Sequence, residues 1–211
     1  MRLISDGDPL LVASTDPAVG LGFVEQATGD AQSIACGARI AEIAVEVGGK
    51  VLADRATRPG HLTGSAFVIS HDGSQAILLF HAKLQRWLQP GGHADGDMNL
   101  MAVALREATE ETGIAGLGVH PVPIDLDIHE VAPPREDAHL HLDVRFVVVA
   151  PEGAEPAANH ESEHIRWVSR DELVDFDPDA GLERLAARAF GWFDQMVDAG
   201  TRPDAGSRPS G

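Results

Sequence analysis

Three glutamates at helical spacing offer the clearest chemistry in the sequence. Glu107, Glu110 and Glu111 stand at i, i+3 and i+4, so a helix would place them on one face about one turn apart. Carboxylates at that separation repel each other unless a cation neutralises them, and oxygen donors suit hard ions such as Mg²⁺ or Mn²⁺. The spacing therefore predicts a helix that binds a divalent metal ion.

The residues around these glutamates predict how such a helix is held. An apolar stripe runs beside the acidic face at i, i+3, i+4 and i+7, and its members are Met101, Ala104, Leu105 and Ala108. Gly91-Gly92-His93 precedes the helix and Gly113 ends it. Because glycine lets the backbone come close to a phosphate or a metal, the pattern indicates a glycine loop facing an anchored acidic helix.

The stretch from Gly92 to Ile114 resembles the Nudix box, G-x5-E-x7-R-E-U-x-E-E-x-G-U, in which U is aliphatic. Gly92 matches the first glycine, Arg106-Glu107 the R-E pair, and residues 110–114 the E-E-x-G-U end. Met98 stands where the box has its first glutamate, and Ala108 is smaller than the usual aliphatic residue. The resemblance covers roughly residues 60 to 180 and implies the Nudix fold, an α/β/α sandwich with a mixed sheet.

The resemblance also implies an activity, which is metal-dependent hydrolysis of a pyrophosphate bond in a nucleoside diphosphate linked to another group. Glu107, Glu110 and Glu111 would hold Mg²⁺ or Mn²⁺ together with the carbonyl group of Gly92, and Glu110 would also serve catalysis.

Arg106 matches the family arginine, which would orient the glutamates through ion pairs. With Met98 in place of one partner, Asp97 or Glu110 would have to pair with Arg106 instead.

Outside the box, five residues are candidates for catalysis or substrate binding. In many Nudix enzymes the general base is a glutamate before a late strand, which makes Glu161 the first candidate here and Glu163 the second. His93, Lys83 and Arg145 are candidate phosphate contacts, since charge-assisted hydrogen bonds to phosphate are strong. The alternatives are a solvent-exposed acidic loop for the glutamates and surface or sheet ion pairs for Lys83 and Arg145.

Histidines form a second group. His139 and His141 at i, i+2 share one face of a strand, and His129 could lie on a neighbouring strand. They could bind a transition metal or contact phosphate, but a polar cleft wall or satisfied core histidines is the simpler interpretation.

The pattern along the chain predicts three parts. Residues 1–57 form a partly helical extension with a weakly ordered lead-in up to residue 14 and two helices after it. Residues 58–199 form the Nudix domain, and residues 200–211 a disordered tail. Within the domain, residues 118–131 are predicted as one long or bent strand, and residues 139–150 as the clearest strand.

Composition limits the possible partners. The net charge of −17 disfavours binding to duplex nucleic acid, and the sequence has no apolar run of ~18 residues, so we expect no membrane partner. The start of the chain has no apolar signal region, and the single cysteine, Cys36, suits the reducing cytoplasm. We therefore expect a cytoplasmic protein with a small nucleotide-type substrate. The sequence leaves open whether the protein forms a homodimer.

Two other functions fit parts of the sequence. A non-hydrolytic Nudix-like nucleotide sensor would fit Met98 and the N-terminal extension. An isopentenyl diphosphate isomerase shares the fold and a Gly-Gly-His loop, but it needs a catalytic cysteine near the site, and Cys36 lies outside the matched stretch.

Overall fold

A nine-stranded mixed sheet between helices forms the described part of the chain. The computed structural model describes residues 2–27, 29–81, 84–132, 137–157 and 162–201, without the side chains of residues 162 and 163. The strands are β1 (Ile4–Ser5), β2 (Gly60–Ile69), β3 (Gln75–His81), β4 (Arg86–Leu88), β5 (Gly91–His93), β6 (Gly118–Val119), β7 (Asp125–Val131), β8 (His139–Val149) and β9 (Ser162–Ser169). The helices are α1 (Pro17–Gln26), α2 (Ala31–Val47), α3 (Leu100–Thr112) and α4 (Ala180–Asp198).

Strands β2 and β8 run parallel at the centre of the sheet, in register from Gly60 opposite Leu140 to Ile69 opposite Val149. The other strand pairs are antiparallel, with β5 beside β2, β7 beside β8, and β9 beside β3. Every residue of β2 is buried, because helices cover both faces of the sheet at this point. The architecture is the α/β/α sandwich with a mixed sheet and an N-terminal helical segment that the sequence predicts.

Each face of the sheet carries its own core. On one face α1, α2 and α3 pack on the sheet, with Ile40 of α2 and Leu105 of α3 among the buried residues. On the other face α4 packs through Leu185 and Phe193 against residues such as Phe67 of β2. Among the described residues, no helix combines the length and the apolarity needed to cross a bilayer.

The N-terminal segment is more ordered than predicted. Ile4 pairs with Val119 across the β1–β6 ladder, and the Ile4 side chain is buried. The prediction of a weakly ordered lead-in is therefore wrong for these residues, because a short strand needs only a partner edge and no periodicity. The two predicted helices are present, with Asp16 capping α1 and Asp30 capping α2.

The same buried core includes residues from both sides of the predicted boundary at residues 57 and 58. The boundary itself stays a prediction. Most of the predicted disordered tail, residues 202–211, lies outside the described residues.

The single strand predicted for residues 118–131 is two strands, β6 and β7. Pro121 and Pro123 lie between them, where a backbone nitrogen without hydrogen cannot join a ladder. The connection still follows β8, because His120 N donates to Val147 O at 2.8 Å and Ile124 N donates to Arg145 O at 2.9 Å.

Candidate active site

Helix α3 carries the three glutamates and is fixed at both ends. At its start the side chain of Asn99 accepts a hydrogen bond from Ala102 N at 3.4 Å and donates to the carbonyl groups of Leu10 and Val12. At its end Gly113 adopts a left-handed conformation with φ of 68°, which suits glycine. The predicted apolar stripe from Met101 to Ala108 is buried. The acidic face is therefore held in a fixed position relative to the sheet.

Two of the three glutamates lie against the glycine strand β5. The backbone N–H of Gly91 donates to Oε2 of Glu111 at 3.0 Å. A methyl group on Gly92 would come within 2.5–2.8 Å of the carboxylate atoms of Glu107, so any other residue here would force this carboxylate to move. Glu110 is exposed on the same helix. The structure thus brings together the glutamates and glycines that the motif predicts.

This donor set fits a hard divalent cation. The side chains of Glu107, Glu110 and Glu111 offer carboxylate oxygens, which Mg²⁺ and Mn²⁺ prefer. Glu107 is 19% exposed, so its carboxylate is partly removed from water and gains more from a nearby positive charge than a free surface group would. The role of the Gly92 carbonyl group as a further ligand stays a prediction.

Arg106 supports this face, although not through the partners that the sequence suggests. Its Nη2 lies 2.8 Å from Oε1 of Glu107 and donates to the carbonyl oxygen of His93 at 3.4 Å. Asp97 has other contacts, since its Oδ1 accepts from Ser14 N at 2.9 Å and from Asn99 N at 2.8 Å. The expectation that Asp97 pairs with Arg106 is thus replaced by a different role, in which Asp97 stabilises the turn before α3.

The environment of Met98 explains why the box glutamate is missing. Its side chain is 1% exposed, and its backbone N–H donates to Ser14 O at 2.6 Å. Gly20 of α1 lies so close that an added methyl group would sit 2.9 Å from Sδ of Met98 and 3.6 Å from Leu62. The N-terminal helix thus covers Met98, and a carboxylate at this position would be buried in an apolar environment.

Arg145 does not serve as an available phosphate contact. Its side chain is 5% exposed, and its guanidinium group lies 2.7 Å from Asp143, 3.0 Å from Asp127 and 3.3 Å from Asp125. The carbonyl group of Gly181 also accepts a hydrogen bond from Nη1 at 3.1 Å. Because these partners occupy the guanidinium group, the prediction for Arg145 is corrected to its alternative, an ion pair within the sheet.

The network around Arg145 is a feature that the sequence did not indicate. Arg184 of α4 also binds Asp125 and Asp127, at 3.0 and 2.8 Å. Burial alone would raise the pKa of Asp143, but the charge of Arg145 outweighs burial and lowers it. Burial opposes ionisation of Asp127 as well, yet its hydrogen bond with His129 and the charges of the arginines lower the pKa. Asp143 and Asp127 are therefore ionised and structural.

Three of the predicted site residues fall wholly or partly outside the described part of the chain. Lys83 and Glu161 lie outside the described residues. Glu163 belongs to β9, but its side chain is likewise not described.

The ring of His93 belongs to a histidine cluster on the sheet face away from α3. It lies 5.1 Å from the ring of His61 and 5.1 Å from that of His141. Successive side chains of β5 point to opposite faces, so Gly92 faces Glu107 while the His93 ring faces this cluster. His61 was missed from the sequence because only the parallel register of β2 and β8 brings it beside His141.

Two histidines of this cluster, His61 and His141, favour the neutral form. Burial, followed by the neighbouring His93 and His139, lowers the pKa of His61 to about 4. Burial and the neighbouring His129, His93 and His61 lower the pKa of His141 to about 3.

The NUDIX domain model matches residues 61–190, more than half of the chain. No curated protein matches the sequence. The structure resembles that of a C. elegans Ap4A hydrolase binary complex, with 15% identity, a TM-score of 0.52, and coverage of 65% of this chain and 98% of that one. A NUDIX-family hydrolase from Clostridium perfringens has 22% identity, a TM-score of 0.46, and coverage of 64% and 97%. The E. coli dihydroneopterin triphosphate pyrophosphohydrolase has 14% identity, a TM-score of 0.49, and coverage of 61% and 92%.

Proposed function

The chain belongs to the NUDIX domain family, and from that premise we propose that it is a pyrophosphohydrolase that depends on Mg²⁺ or Mn²⁺. Its proposed substrate is a nucleoside diphosphate linked to another group, which is cleaved at the P–O–P bridge. The observation that supports this most strongly is the contact of Glu107 and Glu111 with the glycine strand β5. It combines hard-metal ligands with backbone that a phosphate could approach closely.

In this proposal each residue of the site has a defined task. Glu107, Glu110 and Glu111 hold the metal, which when bound neutralises phosphate charge and activates water. Arg106 orients Glu107 through their 2.8 Å ion pair. Gly92 leaves the space that the Glu107 carboxylate occupies.

Water attacks one phosphorus atom while a glutamate accepts its proton. Glu161 is the first candidate for this base and Glu163 is the second. Glu110 is the catalytic candidate on helix α3. A base must come within hydrogen-bonding reach of the attacking water, or within one water of it. Lys83 remains a candidate phosphate contact in the proposal. The ring of His93 lies on the sheet face away from α3, so a contact of His93 with phosphate at the α3 site would involve its backbone.

The two rival functions have less support. The sensor hypothesis depended on Met98 and on the N-terminal extension. The burial of Met98 under α1, a helix of that extension, supplies a structural reason for the lost glutamate. The isomerase hypothesis requires a cysteine near the site. Cys36 is buried in α2, and burial raises the pKa of its thiol, which disfavours the reactive thiolate.

A single cysteine also supports a reducing compartment such as the cytoplasm.

The proposal is tested by phosphate release from a panel of nucleoside diphosphate derivatives, with Mg²⁺ or Mn²⁺ supplied after chelation. We expect turnover of at least one compound and its loss when the metal is withheld. Glu111→Gln keeps the size of the side chain but removes a ligand charge, so turnover should fall at least about hundredfold with little change in melting temperature.

The matched control is Glu46→Gln, which changes an exposed glutamate on α2 that pairs only loosely with Arg39, at 3.5 Å. It should leave turnover unchanged. Full metal-dependent activity in Glu111→Gln would refute the mechanism. Tight nucleotide binding by the unmodified protein without phosphate release would favour the sensor.

A further inference from the structure

Five imidazole rings meet on the sheet face opposite α3, and they come from four different strands. His61 lies on β2, His93 on β5, His129 on β7, and His139 and His141 on β8. Strand register brings them together, since His141 stands opposite both His61 and His129. The contacting ring centroids in this group are 5.0–5.5 Å apart. The cluster is thus a product of the fold rather than of a local sequence motif.

Three of these residues have the geometry of a metal-binding set. His61, His139 and His141 each offer one ring nitrogen, and these three atoms lie within 4.8 Å of one another. Around tetrahedral Zn²⁺ with Zn–N bonds of 2.0–2.1 Å, ligand nitrogens are about 3.4 Å apart. Small side-chain rotations would therefore bring the rings to ligand distance without any change in strand register.

The hydrogen bonding of His61 points to a missing partner. His61 is only 1% exposed. Among the described residues, neither of its ring nitrogens has a hydrogen-bond partner of normal length and angle. The backbone of Thr57 lies near the ring, where it slightly raises the pKa of His61. Buried polar atoms without partners cost stability, so a ligand that binds the nitrogen lone pair would remove a penalty.

The neighbouring histidines are already oriented by their other nitrogens. Nδ1 of His139 lies 2.8 Å from the carbonyl oxygen of Asp137. Nδ1 of His129 lies 3.0 Å from Oδ2 of Asp127. Metal-binding histidines commonly use one nitrogen in this way, because the hydrogen bond to an oxygen fixes the tautomer and leaves Nε2 for the metal.

From this geometry we propose that His61, His139 and His141 bind a transition metal ion of the Zn²⁺ class, at a site separate from the carboxylates of α3. Imidazole suits Zn²⁺, Co²⁺ or Ni²⁺, whereas Mg²⁺ prefers oxygen. His93 is placed to contribute a fourth ligand, and a metal held there would tie β5, which carries Gly91 and Gly92, to the centre of the sheet.

A phosphate group is the other ligand that histidines could bind. An anion would need protonated rings, but protonated rings with centroids 5.0–5.5 Å apart would repel each other, and the burial of His61 disfavours its charged form. Neutral imidazole is the form that coordinates a metal. The cluster therefore favours a cation over an anion.

The test is a titration of chelator-treated full-length protein with ZnCl₂ in the presence of excess Mg²⁺, which occupies oxygen sites. We expect one Zn²⁺ per chain by calorimetry and by elemental analysis after gel filtration. Co²⁺ used as a probe should develop the visible absorption of a nitrogen-ligated tetrahedral ion. At hundredfold excess over the dissociation constant, Zn²⁺ should raise the melting temperature by about 5–10 °C.

Four variants distinguish this site from other zinc binding. His61→Ala should weaken Zn²⁺ binding at least about hundredfold. His141→Asn provides a second test if His61→Ala does not fold. Glu111→Gln should bind Zn²⁺ normally, and so should His164→Ala, which removes an exposed histidine from β9.

The proposal is overturned by the absence of stoichiometric Zn²⁺ binding, by unchanged binding in both His61→Ala and His141→Asn, or by loss of binding in Glu111→Gln. Inorganic phosphate that binds the unmodified protein and competes with Zn²⁺ would also overturn it, in favour of an anion site. None of these results bears on the Mg²⁺-dependent hydrolysis proposed above, which is measured separately.

Discussion

Restoring the glutamate of the Nudix box at position 98 should damage the protein rather than improve it. Met98 is 1% exposed and packs beneath Gly20, and burial of such a side chain contributes about 1.5–3 kcal/mol. Met98→Glu loses much of that contribution. It also places a carboxyl group among apolar neighbours, and each unit by which its pKa rises costs about 1.4 kcal/mol at neutral pH. We expect a total loss of about 4–6 kcal/mol.

The assay is thermal and urea unfolding of Met98→Glu beside Met98→Leu. A loss of 4–6 kcal/mol corresponds to a fall of about 10–20 °C in melting temperature for a domain of this size. Met98→Leu should cost less than about 1.5 kcal/mol, because it conserves volume and polarity.

The destabilisation caused by Met98→Glu should also depend on pH in a definite direction. Burial raises the folded-state pKa of the introduced carboxyl group above its unfolded value of about 4.3, so the destabilisation should be smallest near pH 4 and should grow towards pH 7. A melting temperature of Met98→Glu within 2 °C of the parent at pH 7, with tighter Mg²⁺ binding, would refute this reasoning. It would mean that position 98 faces the proposed metal site, as in the family pattern.

Two further predictions concern the carboxylate site and the acidic network. Gly92→Ala should lower turnover at least about tenfold, since the added methyl group would displace the Glu107 carboxylate, whereas Gly22→Ala, with open space around it, should leave turnover unchanged in the same assay. Asp143→Asn should cost about 3–5 kcal/mol at pH 7 in urea unfolding, because it leaves Arg145 short of a buried partner. The pKa of Asp143 is lowered by folding, so its contribution is present above the unfolded pKa of about 3.9 and is lost as the pH falls below it. The difference between the parent and Asp143→Asn should therefore shrink at pH 3, and an equal difference at both pH values would contradict the electrostatic explanation.

Local patterns made the glutamate-bearing helix α3 predictable. The glutamate spacing, the apolar stripe and the terminal Gly113 are all read within a few turns of one helix, and α3 has the predicted stripe and end. Strand β8 was predictable for a similar reason, since the continuous apolar run at its end, from Phe146 to Val149, is typical of a strand buried on both faces.

Features that depend on distant parts of the chain were not predictable. Strand β1 is two residues long and exists only because β6 offers it an edge. His61 joins His141 through a register between strands 80 residues apart, which no local pattern encodes. The ion-pair partners of Arg106 and Arg145 were likewise not predictable, because several carboxylates are equally near in sequence. Only the folded geometry determines which of them form the ion pairs.

The contact between Gly20 and Met98 links two distant positions in a way that should be visible across related sequences. A helix can lie this close only if it carries a residue without a side chain at position 20 and meets an apolar residue at position 98. We therefore expect the two positions to covary. Relatives with a glutamate at position 98 should lack a glycine-bearing helix before the domain, and relatives with both an apolar residue and such a helix should form a distinct subgroup.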